Sequence, residues 1–162
     1  MGNEIQKNIG SYKYNLIKCI IWCCDKKPYQ VKNKSYNKYC QRLGSRKHSC
    51  VLHKLRKHTK SGKLTQNSKY KGIQASPKIK VKGIKRMLIP DIKIGSTIID
   101  AKFPCPKKWT PSNQFITRKS DMSWSGKRML TKKEKTDYKK IPGVKKVFGL
   151  APGDVKGICK CT

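Results

Sequence analysis

Negative charge is the scarcest resource in this sequence. Eight acidic residues stand against 40 Lys and Arg in 162 positions, a formal net charge of +32. No acid at all occurs between Lys26 and Pro90. The imbalance exceeds what solubility requires and predicts a polyanionic partner, nucleic acid first and an anionic membrane surface second. Core-forming residues are also sparse. Leu, Ile, Val and Phe make up roughly one residue in five, near the lower limit for a folded chain. A chain of this kind is expected to need a staple, either a metal, disulfides or a tightly held acidic partner. No apolar run approaches the roughly 20 residues of a membrane span. No internal repeat is evident. A polar run containing Glu4 precedes the first apolar segment, so no cleavable leader is expected.

What the sequence does contain is cysteine, eight in all. An even number allows up to four bridges of unknown connectivity. Cys40, Cys50, His53, Cys105, Cys159 and Cys161 are candidates for zinc ligands or for disulfides, and the sequence leaves both open. Cys19, Cys23 and Cys24 fall on an apolar helical pattern and are expected to be buried hydrophobes.

The most informative stretch is Ile89 to Phe103. Two apolar, β-branched runs flank Gly95-Ser96, a pair suited to a tight hairpin. Folding the arms together brings Asp91 opposite, or nearly opposite, Asp100. In the second arm Ile98, Asp100 and Lys102 share one face, and Ile99, Ala101 and Phe103 the other. Aspartate is unfavourable inside a strand unless something pairs with it. A divalent cation would do so, and would equip the site to cleave phosphodiesters.

The remaining elements are placed by periodicity and caps. A helix is expected over 11–24, with Ser11 as its cap and Tyr12, Leu16, Ile20 and Cys23 on its apolar stripe, widened by Ile17, Ile21 and Cys24. A second helical pattern runs through Tyr36, Tyr39, Cys40 and Leu43, is interrupted at Gly44-Ser45, and resumes through Cys50, Val51, Leu55 and His58. The stretch 59–71 reads as a mobile basic loop. Ile79–Val81 and Ile84–Ile89 read as strands leading into the hairpin. The segment 107–128, after several prolines, reads as a long loop covering the site. Thr131 and Glu134 form a capping box for a helix that Pro142-Gly143 stops. A strand over 144–150 and a last turn at Pro152-Gly153-Asp154 precede Cys159-Lys160-Cys161. The result is an α+β (α/β) chain with a mixed sheet flanked by helices and Cys-rich N- and C-terminal parts. We read it as one domain, with a core over about 36–150, an N-terminal helix and connector over 1–35, and a Cys-containing tail over 151–162.

Pro90-Asp91, followed after eight residues by Asp100-Ala101-Lys102, resembles the PD-(D/E)XK nuclease superfamily, the restriction-endonuclease-like fold. The small size, high charge and Cys-rich ends resemble toxin domains of bacterial secretion effectors. The resemblance implies a helix, a three-stranded antiparallel unit, a second helix and a further strand. It implies that Asp91 and Asp100 hold Mg²⁺ or Mn²⁺, and that Lys102 positions the attacking water and offsets charge developing on the phosphate. Many relatives add a Glu from the first core helix. Glu4 is the nearest acid for that role, and Gln114 or Lys127 could assist from the later segment.

The expected activity is therefore metal-dependent hydrolysis of nucleic acid, with DNA favoured over RNA as substrate, by a toxin delivered into a target cell and neutralised by an acidic immunity protein. Lysine clusters over 54–63, 69–71, 78–86 and 132–146 would form a broad basic face, with Lys54, Arg56, Lys57, Lys85 and Arg86 as phosphate contacts. The rival is a basic nucleic-acid-binding protein, ribosome- or nucleoid-associated, with a structural zinc. His48 or His53 as the general base of an RNase is a further alternative.

Overall fold

The computed structural model describes residues 2–32, 35–59, 72–103, 115–116, 130–152 and 159–161. The chain opens with α1 (Gly2–Ile9), which sequence periodicity did not reveal, and α2 (Ser11–Lys26). Gly10 separates them at φ 87°, a backbone state that glycine adopts without penalty. Its N–H closes α1 on the Gln6 carbonyl at 2.8 Å. Ser11 does not cap α2; its hydroxyl instead accepts from the Gln6 amide at 2.7 Å. The buried stripe of α2 is Tyr14, Ile17, Ile20, Ile21 and Cys24, joined by Ile5 and Ile9 of α1. Tyr12, expected on that stripe, is 47% exposed. The extra helix selects the Tyr14 line as the inward face.

The next helix, α3 (Tyr36–Thr59), runs unbroken through Gly44-Ser45, where an interruption was expected. Its spacing explains the continuity. Tyr39, Leu43, Lys47, Val51 and Leu55 recur every four residues and are all buried. That face outweighs the roughly 1 kcal/mol that a helical glycine costs. Lys47 is the anomaly in the stripe. It donates to Asp25 Oδ1 of α2 at 2.7 Å, with the two side chains only 1% and 4% exposed. Burial lowers the Lys47 pKa, and the Asp25 charge and hydrogen bond pull it back.

The sheet contains β2 (Ile73–Ala75), β3 (Ile92–Ile94), β4 (Thr97–Ala101) and β6 (Lys146–Leu150), in the order β2-β3-β4-β6. The first three are antiparallel, and β6 lies parallel to β4. The return to β6 passes through α4 (Lys132–Lys139), which starts at the expected capping box. A separate two-stranded pair joins β1 (Tyr29–Gln30) to β5 (Phe115–Ile116). The strand leading into the hairpin is therefore Ile73–Ala75, not Ile79–Val81 or Ile84–Ile89. Residues 79–88 instead turn back on themselves, with a single bridge between Ile79 and Leu88 and Gly83 at φ 87°. Pro77 and Pro90 at the margins of this segment cannot donate to a ladder, so pairing stays local.

Ile73, Ile92, Ile94, Ile99, Ala101, Phe148 and Leu150 pack against α1, α2 and α3. Ile98 and Val147 pack on the other side with Val81, Leu88, Leu130 and Ile141. The fold is thus mixed α+β, a four-stranded mixed sheet flanked by helices. No helix among the described residues is long and apolar enough to cross a membrane.

Disulfides supply the anticipated staple. Cys19–Cys159 and Cys23–Cys161 tie the tail to α2, and Cys24–Cys50 ties α2 to α3. Cys40 is disulfide-bonded as well. Cys19, Cys23 and Cys24 are therefore cross-linkers rather than plain buried hydrophobes. Their i, i+4 and i, i+5 placement on one helix aims them at two different neighbours. The loop expected over 59–71, the segment over 107–128, the last turn at 152–154 and Cys105 lie wholly or mostly outside the described residues.

The buried pair gives a direct test. Asp25→Ala strands the Lys47 ammonium in the core and is expected to lower unfolding stability by about 3–5 kcal/mol. Adding Lys47→Met should recover most of that loss in urea denaturation, because two matched apolar groups leave no orphaned charge.

Candidate active site

The hairpin forms as the sequence implies. Ile92 pairs with Ile99, Lys93 with Ile98 and Ile94 with Thr97, leaving Gly95-Ser96 as the loop. Gly95 takes φ 56°, in the left-handed region that tight hairpin turns demand. One step beyond the last pair, Asp91 and Asp100 lock together. The Asp91 N–H donates to Asp100 Oδ1 at 2.9 Å, and the Ala101 N–H donates to Asp91 Oδ2 at 2.8 Å. Each carboxylate thereby satisfies a backbone donor at the end of the opposite strand. The Asp91 carbonyl accepts from the Ser76 N–H at 2.8 Å, which fixes this end of the hairpin to the segment after β2.

Side chains from both helical layers converge here. From α4, the Tyr138 hydroxyl donates to Asp100 Oδ2 at 3.0 Å. From the same face one turn earlier, Glu134 Oε2 accepts from Lys102 Nζ at 2.9 Å. Glu134 also completes the capping box through Oε1, so the helix start and the lysine share one carboxylate. From α3, His48 Nδ1 lies 3.2 Å from Asp91 Oδ1 and 3.1 Å from Oδ2. The His48 ring stands edge-on to Phe103, with centroids 5.2 Å apart.

The electrostatics follow from crowding two acids at a buried position. Burial first, then the charge of Asp91, push the Asp100 carboxyl up to about 6. The Asp91 N–H, Lys102 and Tyr138 pull in the opposite direction and do not cancel the rise. Burial disfavours the charged His48 imidazole, but the hydrogen bond and charge of Asp91, with the charge of Asp100, prevail and raise its pKa. Burial and the adjacent Asp100 also raise the Tyr138 hydroxyl, which stays a proton donor. Burial opposes ionisation of Glu134, yet Lys102 and the Thr131 backbone N–H hold its carboxyl below the usual range.

The donor set suits a hard cation. Two carboxylates meet at a partly buried edge, each with lone pairs beyond those already engaged. Mg²⁺ is commonly bound by one or two carboxylates, with water and phosphate oxygens completing its shell. Burial and then the Asp91 charge raise Asp100, and a bound cation would offset both by neutralising the buried negative charge.

Other sequence candidates are placed differently. Glu4 pairs with Lys146 at 3.5 Å, and Lys146 sits beside Thr97 at the turn end of the hairpin. Three residues of strand, roughly 10 Å, separate Thr97 from Asp100, so Glu4 does not join the site. The helix side chain that does reach the carboxylates is His48 of α3. Gln114 and Lys127 lie outside the described residues. Cys50 and His53 do not combine with Cys159 and Cys161 in one metal group; the bridges assign Cys50 to Cys24 and the tail cysteines to Cys19 and Cys23. The basic residues do not form one face. Lys54, Arg56 and Lys57 belong to α3, and Lys85 and Arg86 to the segment packed on the opposite side of the sheet. Arg86 pairs with Asp137 at 2.9 Å, and the side chain of Lys57 lies outside the described residues.

Sequence reasoning did not assign Glu134 and Tyr138 to the site. Their i, i+4 spacing on a capped helix after the hairpin was the available signal. Comparison with protein-family models, curated proteins and solved structures finds no match to the chain.

The raised Asp100 pKa has a defined consequence for stability. A free aspartate titrates at 3.8 and this one at about 6, so the fold favours its protonated form. That contribution is complete below pH 3.8 and is lost as pH rises through about 6. Asp100→Asn cannot acquire the charge. In EDTA at pH 8 the variant should exceed wild type by about 1–3 kcal/mol in urea denaturation, and the advantage should vanish near pH 4.

Proposed function

We propose that this chain is a metal-dependent nuclease that hydrolyses phosphodiester bonds, with DNA as its substrate. The observation that carries this reading is the meeting of Asp91 and Asp100 at one end of the hairpin, with Lys102 beside them. The order α3, three antiparallel strands, α4 and a strand parallel to β4 supports it, because it is the order of the restriction-endonuclease-like core. The resemblance implies a helix-borne Glu at the metal site; the helix-borne side chain at the carboxylates here is His48.

The two aspartates would hold Mg²⁺ or Mn²⁺. When bound, the ion lowers the pKa of a water and polarises the phosphoryl group. Tyr138 holds Asp100 Oδ2 in place and favours its ionised form. Glu134 fixes the Lys102 ammonium at the strand end, where it stabilises negative charge gathering on the phosphate oxygens. Exposed lysines on both sides of the sheet attract the polyanion without reading its sequence. Such an enzyme endangers the cell that makes it. We therefore propose that it acts as a delivered antibacterial effector, covered by an acidic immunity protein that matches its +32 charge.

Plasmid cleavage tests the reading. The wild-type chain should nick DNA with Mg²⁺ or Mn²⁺ and stop in EDTA. Asp91→Asn and Asp100→Asn should each lose at least about a hundredfold in rate, since metal-borne charge stabilisation is worth several kcal/mol, while gel retardation persists. A wild-type chain that retards DNA but cuts it with no divalent ion is instead a basic nucleic-acid-binding protein, and the nuclease reading fails.

Tyr138→Phe separates support from chemistry. Loss of the hydroxyl removes a group that holds the Asp100 pKa down. The rate should fall about tenfold, as for other partners that orient metal ligands. The acid limb of the pH–rate profile should move to higher pH. An unchanged profile would remove Tyr138 from the account.

A further inference from the structure

The two bridges that fasten the tail place four sulfurs at one point on the surface of α2. Cys19 and Cys23 are four residues apart on one helical face, and Cys159 and Cys161 flank Lys160 in the tail. The bridges are not isolated from each other. Cys23 Sγ of one bridge lies 3.4 Å from Cys159 Sγ of the other. The sulfurs of Cys19, Cys23 and Cys159 all fall within 4.8 Å of one another, and Cys161 Sγ is bonded to Cys23. A Zn²⁺ ion with four thiolates at about 2.3 Å requires sulfur–sulfur edges of about 3.8 Å. Once the two bridges break, Cys19, Cys23 and Cys159 lie close enough to approach that spacing, and Cys161, released from Cys23, is the fourth donor that must swing in from the tail. The helical Cys-x3-Cys spacing lies within the usual range for structural zinc.

We infer that Cys19, Cys23, Cys159 and Cys161 form a four-sulfur zinc site in the reduced protein, so that zinc replaces the two bridges when the chain enters a reducing compartment. The reading does not depend on nuclease activity. Cys161 is exposed and Cys19 and Cys159 are half-buried, which opens these bridges to a reductant. The third bridge joins the fully buried Cys24 to the half-buried Cys50 and takes no part in the sulfur group. The same four-sulfur corner opens on a cavity of about 500 Å³ lined by Lys26, Lys27 and Lys54. These ammonium groups favour thiolates over thiols and offset the net negative charge of a zinc tetrathiolate.

The chemistry balances with a dithiol as reductant. Two dithiol molecules each pass two electrons and two protons to one bridge and become cyclic disulfides, leaving four protein thiols. One Zn²⁺ then binds the four sulfurs and releases four protons to solvent. The tail stays fastened to α2 in both redox states, which a pair of disulfides alone cannot ensure.

The test uses the full chain, reduced with a dithiol and desalted under argon. Titration with Co²⁺ should give the intense absorption of tetrahedral cobalt thiolate, saturating at one ion per chain and displaced by one equivalent of Zn²⁺. X-ray absorption on the zinc-loaded chain should return four sulfur neighbours. Cys161→Ser, at the exposed end of the tail, should lose the four-sulfur spectrum, and Cys50→Ser should keep it. The oxidised chain should show no cobalt thiolate absorption. Absence of Co²⁺ binding by reduced wild type, fewer than four sulfur neighbours, or an unchanged spectrum in Cys161→Ser would each overturn the inference.

Discussion

Two hydrogen bonds at the open end of one hairpin set the character of this protein. The Asp91 N–H reaches Asp100, and the Ala101 N–H reaches Asp91. Each acid therefore ends the other's strand, and neither can turn to solvent without orphaning a backbone donor. The exchange brings together two negative charges in a chain that has only eight acidic residues. Asp100 is 6% exposed on a strand buried along its whole length, so its charge finds little water. Burial, and then repulsion from Asp91, raise its pKa to about 6, so ionising it in the absence of a cation costs free energy. A cation bound there relieves that stress, and a proton relieves it in acid.

The rest of the fold holds other side chains against this pair. Lys47 and His48 are neighbours on α3 but face different ways. Lys47 turns inward to Asp25 of α2, with its ammonium 5.7 Å from the Phe103 ring centroid. His48 turns to the sheet edge, meeting both Asp91 and the same Phe103 ring. The buried ion pair and the Cys24–Cys50 bridge thus fix the rotation of α3 on either side of His48. A disulfide of this kind contributes about 2–4 kcal/mol, which matters for a chain with few core-forming residues. On the opposite face, a single turn of α4 carries Glu134 and Tyr138, so the capping box that starts the helix also aligns it with Lys102 and Asp100.

The legible parts of the sequence were those governed by local rules. Gly95-Ser96 between β-branched runs fixed the hairpin register, and the register alone brought Asp91 to Asp100. Thr131 and Glu134 announced α4. The parts set by long-range packing were not legible. Ile73–Ala75 is too short to show a period, and its role as a strand comes from pairing with β3. Gly44 reads as a breaker, yet a four-residue stripe of buried side chains carries α3 through it. His48 has no local signal, because only the rotation of α3 points it at Asp91. The cysteine pairs join residues 138 and 140 positions apart, a connectivity that spacing cannot supply. Glu4 is the only acid near the first helical pattern in the sequence, but its pairing with Lys146, beside Thr97 in the β4–β6 register, puts it at the wrong end of the strands.

Paramagnetic relaxation by Mn²⁺ in solution tests the central claim most directly, that the hairpin carboxylates form one cation site. Substoichiometric Mn²⁺ added to the isotopically labelled chain should broaden the amide resonances of Asp91, Asp100 and Ala101 first, together with the His48 ring. Mg²⁺ should compete the effect away. Broadening that centres on another part of the chain, or that leaves Asp91 and Asp100 sharp while Mn²⁺ accumulates, would contradict the account.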